Sequence, residues 1–226
     1  SCKKAIFNLV GLSPDEFPKF PEINNEFFQI ESNLLQEMIE NTIFSVSNDE
    51  TKFNLTGIFV KSESVDNSNY INFVSTDGHR LSLVKKKVDQ HLNDRFDTGF
   101  ILPKKGLIEL KKIIENQNKT VKIGINDNLF SLVDDTTTFV MRMIDGDFPD
   151  YRKVIPEKTS NVAIINVKNF NHALRRISVL SNEKSKGVKI NFSKNTINII
   201  SSNAELGDAK EEMDIVYTGN EISIGF

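Results

Sequence analysis

Phe148-Pro149-Asp150-Tyr151 repeats the pattern of Phe17-Pro18-Lys19-Phe20, from position 17 to position 148, 131 residues on. Each copy follows an acidic stretch, Asp145-Gly146-Asp147 and Pro14-Asp15-Glu16, and before that a segment of strand character, 138–143 and 5–10. A second pair has nearly the same offset. Ile43-Phe44-Ser45-Val46-Ser47-Asn48-Asp49-Glu50 returns as Ile177-Ser178-Val179-Leu180-Ser181-Asn182-Glu183-Lys184, from position 43 to 177, 134 residues on. Both of these copies end a helical segment that began after a strand. One pair alone could be coincidence among loop Ser, Asn and acidic residues, but two pairs at matching spacing point to a long-period repeat. The repeat divides the chain into the tail of one unit (1–22), a complete unit (23–155) and the opening half of a third (156–226).

Short alternating segments rich in Val, Ile and Phe, bounded by Asn, Asp, Gly and Ser, predict strands over 27–31, 56–61, 71–76, 81–84, 99–102, 120–125, 128–133 and 138–143. Further strands are predicted over 163–167, 188–192, 196–200 and 213–217. Three stretches have helical periodicity instead. The first carries Leu34, Leu35, Met38, Ile39, Thr42, Ile43 and Val46, with Ser32 as its cap. The second carries Leu107, Ile108, Leu110, Ile113 and Ile114 and starts after Pro103; the third carries Phe170, Ala173, Leu174, Ile177 and Leu180. Strand 27–31 with its helix resembles strand 99–102 with the helix over 104–117, a half-repeat inside the complete unit. A doubled strand–helix–strands unit predicts an α+β fold, antiparallel sheets with helices on one face. A half unit at the C-terminal end should expose apolar strand faces and cost stability.

The 226 residues are 38% apolar and 26% charged, an ordinary globular composition with an ample core. One cysteine, Cys2, excludes an internal disulfide framework and a Cys-based zinc site. No apolar run reaches the ~18 residues of a membrane span, and the N-terminus lacks a signal-peptide layout, so the expected location is the cytoplasm. The net charge of −3 does not by itself call for nucleic acid. Its distribution is more informative. Lys104, Lys105, Lys111 and Lys112 lie on the second helix, and Lys168, His172, Arg175 and Arg176 on the third. Their apolar stripes must face a sheet, so these cations face solvent, either as a plain solvated face or as a phosphate-contacting one. The first helix departs from this, with Glu37 and Glu40 beside Gln36 and Asn41.

Thr76-Asp77-Gly78-His79-Arg80-Leu81 has the look of chemistry: a base with its carboxylate, or two metal ligands. Only three His and one Cys exist, and no nucleophile elbow, zinc-protease helix or phosphate loop is present. A lone Asp-Gly-His is more simply a turn, with Gly at positive φ. The expectation is no catalytic residue, no metal and no cofactor.

These segments also resemble a known family. Thr76–Leu81, Phe148-Pro149-Asp150-Tyr151-Arg152 and Leu180-Ser181-Asn182-Glu183-Lys184 are similar to signature stretches of bacterial DNA polymerase III beta subunits, the DNA sliding clamps. The resemblance runs in order along the whole chain. It implies a fragment holding the end of a first clamp domain, a whole second and part of a third. It further implies a head-to-tail homodimeric ring around duplex DNA, helices inside and sheets outside, a processivity factor that is not an enzyme. Such a ring tethers the replicative polymerase, clamp loader and repair proteins through short linear peptides. The peptide cleft it implies comprises Leu55, Thr76, Gly78, His79, Arg80, Leu81, Pro149, Lys153 and Val154. Lys153 stands where arginine is common, and Ser185 where some members have a large apolar residue. The implied DNA-facing set is Lys52, Phe53, Lys104, Lys105, Lys111, Lys112, Lys168, Arg175 and Arg176. Phe7 and Leu9 against Val179 and Leu180 are the implied ring junction, each otherwise ordinary core. The acidic run 205–212 is either a source of ion pairs there or a solvated loop. Two other readings remain: a peptide-binding repeat scaffold that does not bind DNA, and an enzyme built on Asp77 and His79.

Overall fold

Phe28 and Ile30 are buried while Phe27, Gln29 and Glu31 are exposed, the period-two signature of a strand with one covered face. That strand, β1 (Phe27–Glu31), begins the first of two units into which the computed structural model divides, Ser1–Tyr151 and Arg152–Phe226. Residues 4, 6–17, 19–21, 23, 26–90, 92, 94–181 and 187–226 are described. Ala5, Pro18, Asn182–Lys184 and Ser185, used in the sequence comparisons, lie outside them.

In the first unit β1 leads into α1 (Ser32–Glu40), then β2 (Gly57–Val65), β3 (Ser68–Thr76) and β4 (Leu81–Val88). A short helix α2 (Asp94–Thr98) precedes the same series again: β5 (Phe100–Pro103), α3 (Lys104–Ile114), β6 (Thr120–Asn126), β7 (Leu129–Val133) and β8 (Thr138–Arg142). The halves exchange their first strands. β1 adds antiparallel to β6, and β5 to β2, giving two four-stranded sheets ordered β1-β6-β7-β8 and β4-β3-β2-β5. The Ile144 N–H donates to Ile101 O at 2.9 Å and joins β5 to the chain just past β8. One core serves both halves: Leu35, Met38 and Ile39 of α1 and Leu107, Leu110 and Ile114 of α3 pack with Ile58, Phe73, Ile123 and Phe130 of the sheets.

In the second unit β9 (Ala163–Ile164) precedes α4 (Val167–Ser178), β10 (Lys189–Ser193), β11 (Thr196–Asn203), β12 (Gly207–Asp214), β13 (Val216–Tyr217) and β14 (Ile222–Gly225). The sheet order β12-β11-β10-β14 repeats β4-β3-β2-β5, while β9 pairs with β13 alone among the described residues. Ala173 and Ile177 of α4 pack on Ile190, Ile197, Ile199, Ile215 and Tyr217.

Several elements differ from expectation for identifiable reasons. α1 stops at Glu40 because the Thr42 hydroxyl donates back to Met38 O at 2.7 Å, and Ile43–Ser45 becomes a separate 3-10 turn. Ser32 is not a cap but the first helical residue. Its buried hydroxyl donates to Gln117 O at 2.5 Å and accepts the Lys119 N–H, tying α1 to the segment beyond α3. α3 ends at Ile114, two residues before Asn116 takes a positive φ. The expected strand over 163–167 shortens to two residues because Asn166 caps α4, its side chain accepting the Asn169 N–H at 3.1 Å. The expected strand over 5–10 is irregular and exposed from Ile6 to Val10, with no pairing among the described residues. The run 205–212 is mostly not a loop: β12 begins at Gly207, with Ala209, Glu211 and Met213 on its less exposed side.

Candidate functional site

β3 and β4 are joined by a hairpin whose last pair is Thr76 opposite Leu81. The turn between them is held by its own side chains. Asp77 Oδ1 accepts the N–H groups of His79 (3.0 Å) and Arg80 (3.1 Å), and Oδ2 accepts the Arg80 Nε–H at 3.0 Å. Thr76 Oγ1 accepts the Gly78 N–H and donates to Arg80 O at 2.6 Å. Gly78 sits at φ +94°, where a side chain would be strained. The Asp77 carboxyl is lowered to about 2, chiefly by the His79 N–H and further by the Arg80 N–H and guanidinium, against the opposing effect of burial. Asp77 therefore braces the turn and does not orient the imidazole; its bond to His79 is to backbone. Gly78, His79 and Arg80 are exposed, and Thr76 and Leu81 half-buried.

On the face of this sheet turned away from the shared core, Phe59 of β2 stands beside Val74 of β3 and Ile101 of β5. Phe148 stacks on Phe59 with ring centroids 5.0 Å apart and planes 5° apart, and Tyr151 tilts onto Phe59 at 6.4 Å. The two aromatics anchor Phe148-Pro149-Asp150-Tyr151 and leave Pro149 exposed.

A 3-10 segment, Glu50–Leu55, adjoins both places. Leu55 is buried, and its carbonyl accepts the Ser47 N–H at 3.0 Å. Lys52 Nζ lies 3.8 Å from where a Cβ on Gly78 would stand, and the Phe53 ring closes on Gly146. Asn54 Nδ2 donates to Asp147 O at 2.8 Å. Phe53 keeps 56% of its surface.

The basic helix faces are partly neutralised. Lys111 pairs with Glu40 of α1 at 2.8 Å, Lys112 with Glu109 at 2.8 Å, and Lys104 donates to Asn48. On α4, Arg176 holds Glu211 of β12 through Nε and Nη2. Lys105, Lys168 and Arg175 are exposed and make no ion pair among the described residues. Lys153 and Val154, in the second unit, are also exposed. Phe7, Leu9 and Val179 are exposed and Leu180 half-buried, so the ordinary-core alternative does not describe the first three. Among the described residues no group of three or more His, Cys, Asp or Glu could hold a metal ion, and no helix is long and apolar enough to cross a membrane.

The family model for the DNA polymerase III beta subunit central domain matches residues 29–150, and that for the C-terminal domain matches 152–226. The chain belongs to the DNA polymerase III beta subunit family. It is 32% identical over 224 residues to the beta sliding clamp of Haemophilus influenzae and 33% identical over 227 residues to that of Proteus mirabilis. In both cases 99% of this chain aligns with 59% of the relative, so it spans well under two thirds of their length. The crystal structure of the C. crescentus beta sliding clamp superposes with a TM-score of 0.89 at 28% identity, covering 99% of this chain and 60% of that one. The sliding clamp of Bartonella birtlesii, bound to griselimycin, superposes at 0.88 and 27% identity, covering 95% and 57%. The α+β clamp fold expected from the sequence is the fold observed.

Two features of this family member escaped the sequence. The acidic run was expected to serve a junction or float in solvent, yet Glu211 is lowered from its ordinary value by the Arg176 guanidinium of its own unit. An i/i+2 alternation of Ala209, Glu211 and Met213 was the available signal. The contact of Asn54 with Asp147 carried no signal, because nothing in a linear sequence brings residues 93 apart together.

Proposed function

We propose that the chain is part of a non-catalytic processivity clamp: a ring around duplex DNA that tethers polymerases and other DNA-handling proteins by short linear peptides. Membership in the beta subunit family carries this reading, and the Asp77 geometry supports it against the enzyme alternative. A carboxylate committed to two backbone N–H groups and a guanidinium does not serve as a base. In this proposal 1–22 is the tail of a first clamp domain, 23–155 a second and 156–226 the opening part of a third, with two copies of the full-length protein arranged head to tail.

The peptide would dock at Leu55, Thr76, Gly78, His79, Arg80, Leu81, Pro149, Lys153 and Val154. Exposed backbone at the turn, half-buried Leu81 and exposed Pro149 supply the mixture of apolar surface and polar anchors that short peptides need. Phosphates would be met by Lys105, Lys168 and Arg175 first. Lys52, with Phe53 beside it, and Lys104 follow. Lys111, Lys112 and Arg176 contribute less, since each already has a carboxylate partner. Phe7 and Leu9 would pack against Val179 and Leu180 of a second copy. Those local pairs also favour one alternative, a peptide scaffold that ignores DNA.

The two separate in a retention assay on nicked circular DNA. A clamp stays on the circle and is lost when it is linearised, whereas the scaffold is retained on neither. With the clamp, charge reversal at Lys105 and Arg175 reduces the salt slope of binding by about 1 per contact removed, more than reversal at Lys111 does. Equal effects at all of these sites, or none, would sink the DNA-facing assignment.

A further inference from the structure

The 50–55 segment touches both parts of the proposed peptide site that lie in the first unit. Its φ/ψ at Lys52 (−105°, 56°) breaks the helical course, and the side chains on either side of Phe53 go to different neighbours. Lys52 Nζ lies beside the Gly78 turn, 3.8 Å from where a Cβ on Gly78 would stand, and Asn54 Nδ2 donates to Asp147 O. Between them the Phe53 ring stands against Gly146, whose φ of +130° would strain a side chain and whose Cβ would crowd the ring. The segment itself is anchored twice. The Ser47 N–H holds Leu55 O, and the Thr56 N–H and hydroxyl both close on Phe53 O at 3.1 and 2.6 Å. A short, doubly anchored backbone loop that contacts two otherwise separate segments behaves as a strut.

We propose that Asn54 is a positioning residue of the peptide site. Its hydrogen bond to Asp147 O ties the Phe148-Pro149 segment to the 50–55 segment, which carries Leu55 of the same site and lies beside the Thr76–Leu81 hairpin, so that a bound peptide meets both at once. Asn54 need not touch the peptide. The proposal rests on the peptide-docking reading above, and it deepens that reading by naming what sets the width of the site. Aromatic stacking of Phe148 on Phe59 holds the segment down on the sheet. Stacking alone leaves sliding along the ring plane open, and the directional bond from Asn54 removes that freedom.

The experiment compares N54A and N54D with the unsubstituted chain. N54D keeps the side-chain volume and loses the donor, so it separates the hydrogen bond from packing. Hydrogen exchange without any peptide reads the strut directly. Both variants should exchange faster at 145–150, by about two- to thirteenfold, the range one net hydrogen bond sets. The thermal midpoint should move no more than about 2–4 °C. With a fluorescein-labelled synthetic hexapeptide bearing leucines at alternate positions, dissociation from the full-length protein should quicken by a similar factor in both variants. Unchanged exchange at 145–150, or an N54D chain that exchanges like the unsubstituted one, overturns the strut. Failure of the full-length protein to bind the hexapeptide overturns the docking reading instead and leaves the exchange result to decide the strut.

Discussion

The two units start from the same plan and finish differently. In the first, β1 and β5 cross into each other's sheet, so α1 and α3 bury their apolar faces in one shared core. In the second, the sheet β12-β11-β10-β14 repeats the order of β4-β3-β2-β5, but among the described residues β9 pairs with just the two residues of β13. Ile164 and Val167 consequently keep 67% and 78% of their surface. The contrast continues past the helices. At the repeat positions of Ser45 and Val46, both buried in the first unit, the second unit has Val179, 74% exposed, and half-buried Leu180. Strand exchange lets α1 and α3 of the first unit bury their apolar faces in one core, whereas α4 covers the second unit's sheet alone. A single half covers Ala173 and Ile177 and leaves the ends of its helix bare.

The largest test of that contrast is a cavity in each core. Leu107→Ala should cost about 2–5 kcal/mol. Because the core is shared, hydrogen exchange should rise in both sheets of the first unit, including β3 and β7. Ile199→Ala should raise exchange in the second unit and leave the first unit's protection as it was. Exchange confined to the β1-β6-β7-β8 sheet after Leu107→Ala would show that the two halves are independent and break the comparison.

Smaller effects sharpen it at the hairpins. The β3–β4 turn is braced by Asp77, whereas the β11–β12 turn is braced by Asn203, whose Oδ1 accepts the N–H groups of Glu205 (2.9 Å) and Leu206 (3.2 Å). The geometry is shared, but only the carboxylate titrates. Asp77 is lowered to about 2, and so is Asp134, which the Lys119 ammonium holds at 2.7 Å. A lowered carboxyl stabilises the fold fully above its unfolded value of roughly 3.9 and loses that contribution as pH falls towards 2. Acid titration followed by exchange should therefore loosen the β3–β4 and β7–β8 turns between about pH 4 and 2 and leave the Asn203 turn unaffected. Asp77→Asn and Asp134→Asn should flatten that acid limb; an unchanged limb in both variants would assign it to other carboxylates. The smallest effect is Asn203→Ala, worth about 1 kcal/mol for the braces it removes. It should be visible as faster exchange at Glu205 and Leu206, and absence of any change there would show that β11–β12 register holds the turn unaided.

Linear order carried much of this. Val, Ile and Phe at alternating positions placed nearly all strands of the first unit, since burial of one sheet face leaves a period of two in any sequence. The repeat spacing revealed the doubled unit, and Asp77-Gly78-His79 read as a turn because Gly at positive φ and an Asx side chain are local requirements. The misses are equally physical. β12 was hidden because an acidic edge strand looks like a loop until its neighbour β11 supplies hydrogen bonds. Ser32 has the residue type of a cap, and only the folded chain brings Gln117 and Lys119 to its hydroxyl.

Sequence alone thus determined the family, the strand–helix–strand order and the residues of the hairpin turn, all set by local preference or by periodic burial. Tertiary structure alone decided which cations remain free, because Lys111 and Arg176 meet Glu40 and Glu211 across packed elements. It alone decided that Asn54 lies against Asp147, for a contact between residues 93 apart exists only once β2 has brought Phe59 beneath Phe148.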